Sequence, residues 1–138
     1  MLYILDTDHV SLLQRGNQHV VARLSALDVN DRAVTIITVS EQIQGRLAVI
    51  RRAKIERDAS RGFASLQATI AFYQAIQGLP YDENAQAHFR RLRQLRIHIG
   101  TQDLRIAATT LSHQAVLVTR NKRDFERIPE LQMVDWSL

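Results

Sequence analysis

The stretch Leu2-Tyr3-Ile4-Leu5-Asp6-Thr7-Asp8-His9-Val10 decides how the whole chain is read. Four apolar residues in succession make a short strand buried on both faces, and an acid stands directly at its carboxyl end. Thr7 is expected to cap a following helix, with Val10, Leu12 and Leu13 apolar and Gly16 as its stop. A strand that runs through an acid into a helix is the start of an α/β unit. In an open parallel sheet the carboxyl ends of the strands face one crevice, and ligands bind there.

Outward from this stretch the arrangement recurs. Glu41 follows Val34-Thr35-Ile36-Ile37-Thr38-Val39, Asp103 stands just ahead of Leu104, Ile106, Ala107 and Ala108, and Asp124 comes shortly after Ala115-Val116-Leu117-Val118. Between them, Asn17 can cap a second helix to about Leu27, with Val20, Val21, Leu24 and Leu27 on one face. Ala33 to Ile37 reads as a β-branched strand, followed by a helix beginning near Thr38 or Ser40 that includes Glu41. From Val49 to Gly78 the spacing is helical, and Gly62 is expected to break it into two antiparallel helices. Leu79-Pro80-Tyr81 reads as an extended link. Asp82 caps a helix to about Arg96 with Phe89, Leu92 and Leu95 inward, and Gly100-Thr101 opens the next. Ala115 to Val118 is a clear strand, and Met133 to Trp136 a short last one. The β–α alternation implies a three-layer α/β/α fold with a central parallel sheet and right-handed crossovers. The long helical middle is an excursion from that sheet, and residues 1–138 read as one domain.

Composition narrows the function. Hydrophobic residues make up 46% and charged residues 23%, the balance of a globular protein. No apolar run approaches the roughly 20 residues that cross a membrane and no signal-peptide pattern opens the chain, so a cytoplasmic protein is expected. With no cysteine, disulfides and thiolate metal sites are excluded. The formal net charge is +4, and all basic residues but Lys54 and Lys122 are arginine. Arginine's planar fork grips phosphate oxygens in bidentate fashion and stacks on bases, which suits a nucleic-acid partner. Codon bias toward arginine gives the same count without a function.

Each acid also has an ordinary structural role. Asp6 can bond local amides at a strand end, Glu41 and Asp103 can sit favourably at a helix start, and Asp124 can cap a turn. Those roles predict no correlation, yet all four acids fall at the same edge of the inferred sheet. Carboxylates gathered there repel one another unless a divalent cation lies between them, and Mg²⁺, with Mn²⁺ as a substitute, is the usual oxygen-ligated choice. His9, His19, His88, His98 and His113 show no metal spacing, although His9 is placed to touch substrate. Thr7, Ser40 and Thr119 fit supporting hydrogen bonds better than a hydrolase triad.

Three segments together resemble the PIN-domain ribonucleases, VapC-type toxins in particular: Tyr3 to Asp8, Ile99 to Ala108, and Leu117 to Ile128 with Asp135-Trp136 beyond it. Glu41, preceded by Thr38-Val39-Ser40 and followed by Gly45, fits the family's second acidic position. The resemblance implies a metal-dependent endoribonuclease acting on tRNA or rRNA as the toxin of a toxin–antitoxin pair. Asp6, Glu41 and Asp103 would be metal ligands, and these three with Asp124 the catalytic set. It also implies a cognate antitoxin and a homodimer. Arg120, Asn121 and Arg123 are expected to bind substrate, and the Arg90, Arg91, Arg93 and Arg96 helix is a solvated face or an RNA contact. Two departures stand out. The family often has an acid where Asn121 stands, which leaves the fourth acidic role either weakened or with Asp124. Gln42 and Gln44 are more polar than usual and alter packing around Glu41. A catalytically degenerate PIN-like binding module is the alternative from another class. Asp6-Thr7-Asp8 is also similar to the opening of the haloacid-dehalogenase-type phosphatases, but no lysine has the setting that family requires.

Overall fold

The computed structural model describes residues 1–138. Its strands are β1 (Tyr3–Leu5), β2 (Arg32–Thr35), β3 (Gln77–Leu79), β4 (Val116–Val118) and β5 (Gln132–Val134). They form one sheet in the order β3-β2-β1-β4-β5, with every pair parallel. β1 lies at the centre, Tyr3 registering with Arg32 on one side and Val116 on the other. This explains why the inner strands read as continuous apolar runs rather than alternating ones. Ile4, Ala33 and Leu117 point into one core, while Leu5, Val34 and Val118 point into another. Each of the larger ones, Ile4, Leu5, Val34, Leu117 and Val118, contributes about 1.5–3 kcal/mol by leaving water.

Helices cover both faces. α1 (Thr7–Gln14) and α2 (Gln18–Ser25) pack their Val10, Leu12, Val20 and Leu24 against Leu5, Val34 and Val118. α5 (Glu83–Gln94) and α6 (Thr101–Ser112) bring Leu92, Leu104 and Ile106 to Ala108 against the other face. α3 (Ile36–Arg52) and α4 (Glu56–Gln74) pair with each other between β2 and β3, and the short α7 (Lys122–Phe125) follows β4. The expected three-layer α/β/α fold is therefore present.

Several boundaries differ from expectation, each for a local reason. β2 ends at Thr35, because the Thr35 hydroxyl accepts the Thr38 N–H at 3.2 Å and starts α3 at Ile36. A cap thus overrides the strand preference of Ile36-Ile37-Thr38-Val39. The break in the helical middle falls at Ala53 to Ile55 and not at Gly62. Gly62 lies inside α4, where a Cβ would meet Ile50 Cγ1 at 2.8 Å, so its role is to let α3 and α4 approach. The excursion returns to the sheet as the edge strand β3 and not as a bare link. Gln77-Gly78-Leu79 pairs on one side only and carries little of a strand's usual signature. α5 stops at Gln94, Leu95 is half exposed, and Arg96 takes the left-handed conformation (φ 57°). β5 begins one residue earlier than expected and ends before Asp135.

Candidate active site at the carboxyl edge of the sheet

Asp6 ends β1, where its N–H still donates to Val118 O at 3.0 Å. Asp6, and not Thr7, is the N-cap of α1, with Oδ1 accepting the His9 N–H at 2.8 Å. This use of the carboxylate is short-range, and it fixes the side chain at the sheet edge. Thr7 is released from capping and donates from Oγ1 to Glu41 Oε1 at 2.8 Å, with Thr38 Oγ1 3.0 Å behind it. Glu41 is in the second turn of α3, so one hydroxyl chain joins α1 to α3. Asp103 occupies the first turn of α6, where the macrodipole favours an anion. Asp124 is in α7 and accepts from Asn121 Nδ2 at 3.0 Å, while the Asn121 N–H is held by Thr119 Oγ1 at 2.9 Å.

Asp103 lies close enough to the other three expected acids to feel their charge. The Asp103 carboxyl lies above the usual carboxylate range because burial disfavours its charge, and because Glu41, Asp6 and Asp124 each add repulsion. No arginine or lysine forms an ion pair with any of the four. Mutual repulsion without a basic partner is the condition a bound cation relieves, and hard carboxylate oxygens are the donors Mg²⁺ and Mn²⁺ take. The residues present fit such an ion.

Asp8 differs sharply. Both its oxygens bond Arg120, from Nε at 2.7 Å and Nη2 at 2.8 Å. This bidentate pair holds the Asp8 carboxyl below the usual range and raises Arg120. Asp6, Asp8 and His9 do bring one ligand atom each within 4.8 Å of one another. Asp8 is spent on Arg120, however, and His9 is fully buried with Nδ1 3.3 Å from Asp6 Oδ1 and Nε2 accepting the Trp136 N–H at 3.3 Å. His9 therefore cannot reach substrate, contrary to its sequence expectation.

Arg120 lies at the rim, near enough to Asp6 and Asp135 to feel both charges, whereas Arg123 is exposed and makes no ion pair. Of the expected supporting hydroxyls, Thr7 and Thr119 serve the acids. Ser40 instead donates to Ile37 O within its own helix. The polar Gln42 is buried and forms a network: Tyr73 Oη donates to its Oε1 at 2.6 Å, and Gln14 Nε2 to the same oxygen at 2.9 Å. Burial raises the Tyr73 hydroxyl's pKa, so it remains a donor. The network locks α1, α3 and α4 beside Glu41. Only its composition was visible in sequence, as two glutamines and a tyrosine on otherwise apolar faces. The largest surface hollow, about 400 Å³ lined by Val49, Arg52, Arg61 and Gly62 among others, lies between α3 and α4, away from the acids.

A family model described as PIN domain matches residues 3–131. Over 144 aligned residues and 99% of both chains, the sequence is 32% identical to Ribonuclease VapC1 of Haemophilus influenzae (strain R2866). It is 27% identical over 139 residues, 97% of each chain, to the tRNA(fMet)-specific endonuclease VapC of Salmonella typhimurium (strain LT2). Among solved structures, VapBC-1 from nontypeable Haemophilus influenzae superposes with a TM-score of 0.79 at 29% identity over all of both chains. DNA-bound VapBC from Salmonella typhimurium gives 0.78 at 27% identity over 99% of each. The chain belongs to the PIN-domain family, and its relatives within that family are VapC ribonucleases.

Proposed function

We propose that residues 1–138 act as one PIN domain, a VapC-type ribonuclease toxin that cuts a phosphodiester bond of tRNA or rRNA at the carboxyl edge of the sheet. The observation that carries this reading is the Asp103 carboxyl, pushed up by burial and by the charges of Glu41, Asp6 and Asp124, with no arginine or lysine paired to it. Asp6, Glu41 and Asp103 would hold Mg²⁺ or Mn²⁺, with Asp124 completing the acidic set. A divalent ion supplies Lewis-acid activation of water and neutralises charge on the phosphoryl oxygens. The chain's own groups position the rest. Thr7 and Thr38 orient Glu41, and Asn121, held by Thr119, orients Asp124. Asp8 engages Nε and Nη2 of Arg120, which leaves Nη1 free to bind a phosphate next to the scissile one. Arg123, exposed on α7, and the Asn121 side-chain oxygen complete the substrate edge. This division needs no side-chain nucleophile.

The relatives' names support an RNA substrate, and a VapC of Salmonella typhimurium is named for tRNA(fMet). The solved VapBC complexes support a cognate antitoxin. A homodimer working in the cytoplasm belongs to the same proposal. No helix is long and apolar enough to cross a membrane. Purified protein incubated with total tRNA or with rRNA, under Mg²⁺, Mn²⁺ or EDTA, tests the reading. Discrete fragments that need the metal and vanish in Asp103→Asn support it. Folded, partner-free protein that binds RNA without cutting either pool would replace it with a binding module.

A further inference from the structure

His9 is a polar ring with no exposure at all, placed one turn from the acidic edge and touched by the other end of the chain. Its two nitrogens join opposite ends of the chain: the Trp136 N–H, 127 positions from His9, donates to Nε2 at 3.3 Å, and Nδ1 lies 3.3 Å from Asp6 Oδ1. A backbone N–H can only donate, so Nε2 is the bare nitrogen and the ring proton sits on Nδ1, directed at Asp6. The other nearby acid agrees with this assignment. Asp135 Oδ1, 3.5 Å from Nε2, is already filled by the Ser137 N–H at 2.8 Å and the Ser137 hydroxyl at 2.6 Å.

The consequence falls on Asp6. Its Oδ1 accepts two bonds from His9, the backbone N–H at 2.8 Å and Nδ1–H, while Oδ2 takes part in no hydrogen bond within the protein. One oxygen is anchored inward and the other is left available. The anchor in turn depends on the last residues of the chain. Trp136 is buried and packs on Tyr3 of β1 at a ring separation of 5.5 Å, so the segment after β5 is clamped to the strand that carries Asp6.

We propose that His9 is a positioning residue for the cation site: backed by the Trp136 amide, it pins Asp6 Oδ1 so that Oδ2 is presented to a divalent ion, which makes the C-terminal segment from Asp135 a working part of the site. The inference rests on the assignment of Asp6 as a metal ligand. A partner that orients a ligand by hydrogen bonding commonly changes metal affinity 10–100-fold when removed. A histidine that only filled space would change stability and leave affinity alone.

The test is a calorimetric Mn²⁺ titration of the purified full chain, with the wild type set against His9→Leu and His9→Asn and thermal melts run alongside. Leucine keeps the apolar volume and removes the donor, whereas asparagine can place an N–H where Nδ1 stands. The expected result is a Kd weaker by roughly 10–100-fold for His9→Leu, with His9→Asn recovering much of it. A His9→Leu protein that is folded and binds Mn²⁺ as tightly as wild type overturns the proposal. Should His9→Leu not fold, nitrogen-detected NMR of the wild type carries the test. The proton must be found on Nδ1, and Mg²⁺ must shift that resonance; a proton on Nε2, or no response to Mg²⁺, overturns the proposal. Wild type that binds no Mn²⁺ overturns the metal assignment and this inference together, whereas equal binding by the variants overturns this inference alone.

Discussion

Asp8 and Asp103 are the same side chain at the same edge of the sheet, and the structure moves them in opposite directions. Asp8, at the rim, is neutralised by Arg120 and held low. Asp103, half-buried, meets only Glu41, Asp6 and Asp124 and is driven high. The rim is a closed ion pair that is complete as it stands. The acidic edge gathers carboxylates that no arginine or lysine pairs, which leaves a deficit of positive charge. Perturbed carboxylates of the second kind are where chemistry is found, and those of the first kind hold geometry.

Removing charge from the unbalanced side should have the largest effect. Asp103→Asn keeps volume and removes the proposed hard ligand, and RNA cleavage should fall by about 10³-fold, equivalent to about 4 kcal/mol in the barrier. Gel analysis of purified variant against wild type checks it. The deficit also has a pH signature. Because the Asp103 carboxyl titrates above the ordinary range, protons compete with a cation at a higher pH than they would for an exposed aspartate. Mn²⁺ affinity measured from pH 8 downward should therefore decline early, with proton release on binding. Affinity that is flat until the ordinary carboxylate range would remove the distinction between the two acids. On the rim, Arg120→Ala should raise KM for RNA roughly 10-fold or more and leave kcat nearly intact, since it removes the proposed phosphate contact and not a ligand. A loss confined to kcat would place Arg120 in the chemistry itself.

Removing the same charge should also bring a gain. A carboxyl whose folded pKa exceeds its unfolded value binds its proton more tightly in the native state, so stability is lost as pH rises through the folded pKa. At neutral pH and without metal, ionised Asp103 therefore opposes folding. Metal-free Asp103→Asn should melt a few degrees higher than metal-free wild type, even though it cuts nothing. Mn²⁺ should reverse the order by stabilising only the wild type.

The comparison was half legible in sequence. The acids are visible because each borders an apolar run: Asp6, Glu41 and Asp124 follow one, and Asp103 precedes one in the first turn of its helix. What Asp8 does was invisible, since its partner Arg120 lies 112 residues away and sequence spacing carries no distance across a fold. His9 is the same case: proximity to Asp6 in sequence implies access to substrate, whereas the fold buries the ring and brings the distant Trp136 N–H to its Nε2. At the level of elements, the start of α3 was misplaced because Ile36 to Val39 has strand propensity, whereas one hydroxyl at Thr35 decides for helix. β3 escaped because an edge strand of three residues that includes Gln77 and Gly78 has neither length nor alternation to show.

The smallest effect belongs to the balanced side. The Asp8 pKa is depressed in the folded protein, so its pair with Arg120 adds stability that is present above the unfolded carboxylate range and lost as pH falls through the folded pKa. Both side chains are nearly half exposed, at 42% and 48%, and solvent screening keeps the contribution of such a pair small. Asp8→Asn should therefore lower the melting temperature slightly at pH 7 and low salt. The difference should shrink in 1 M salt, where the Debye length is about 3 Å, and vanish in strong acid. RNA binding should respond in a different way. Free of Asp8, Arg120 keeps its charge and loses its orientation, so KM should rise by less than in Arg120→Ala. A variant with KM equal to that of Arg120→Ala would mean that the carboxylate's grip, more than the cation, is what delivers Arg120 to the phosphate. The rim would then belong to the site as fully as the acids it borders.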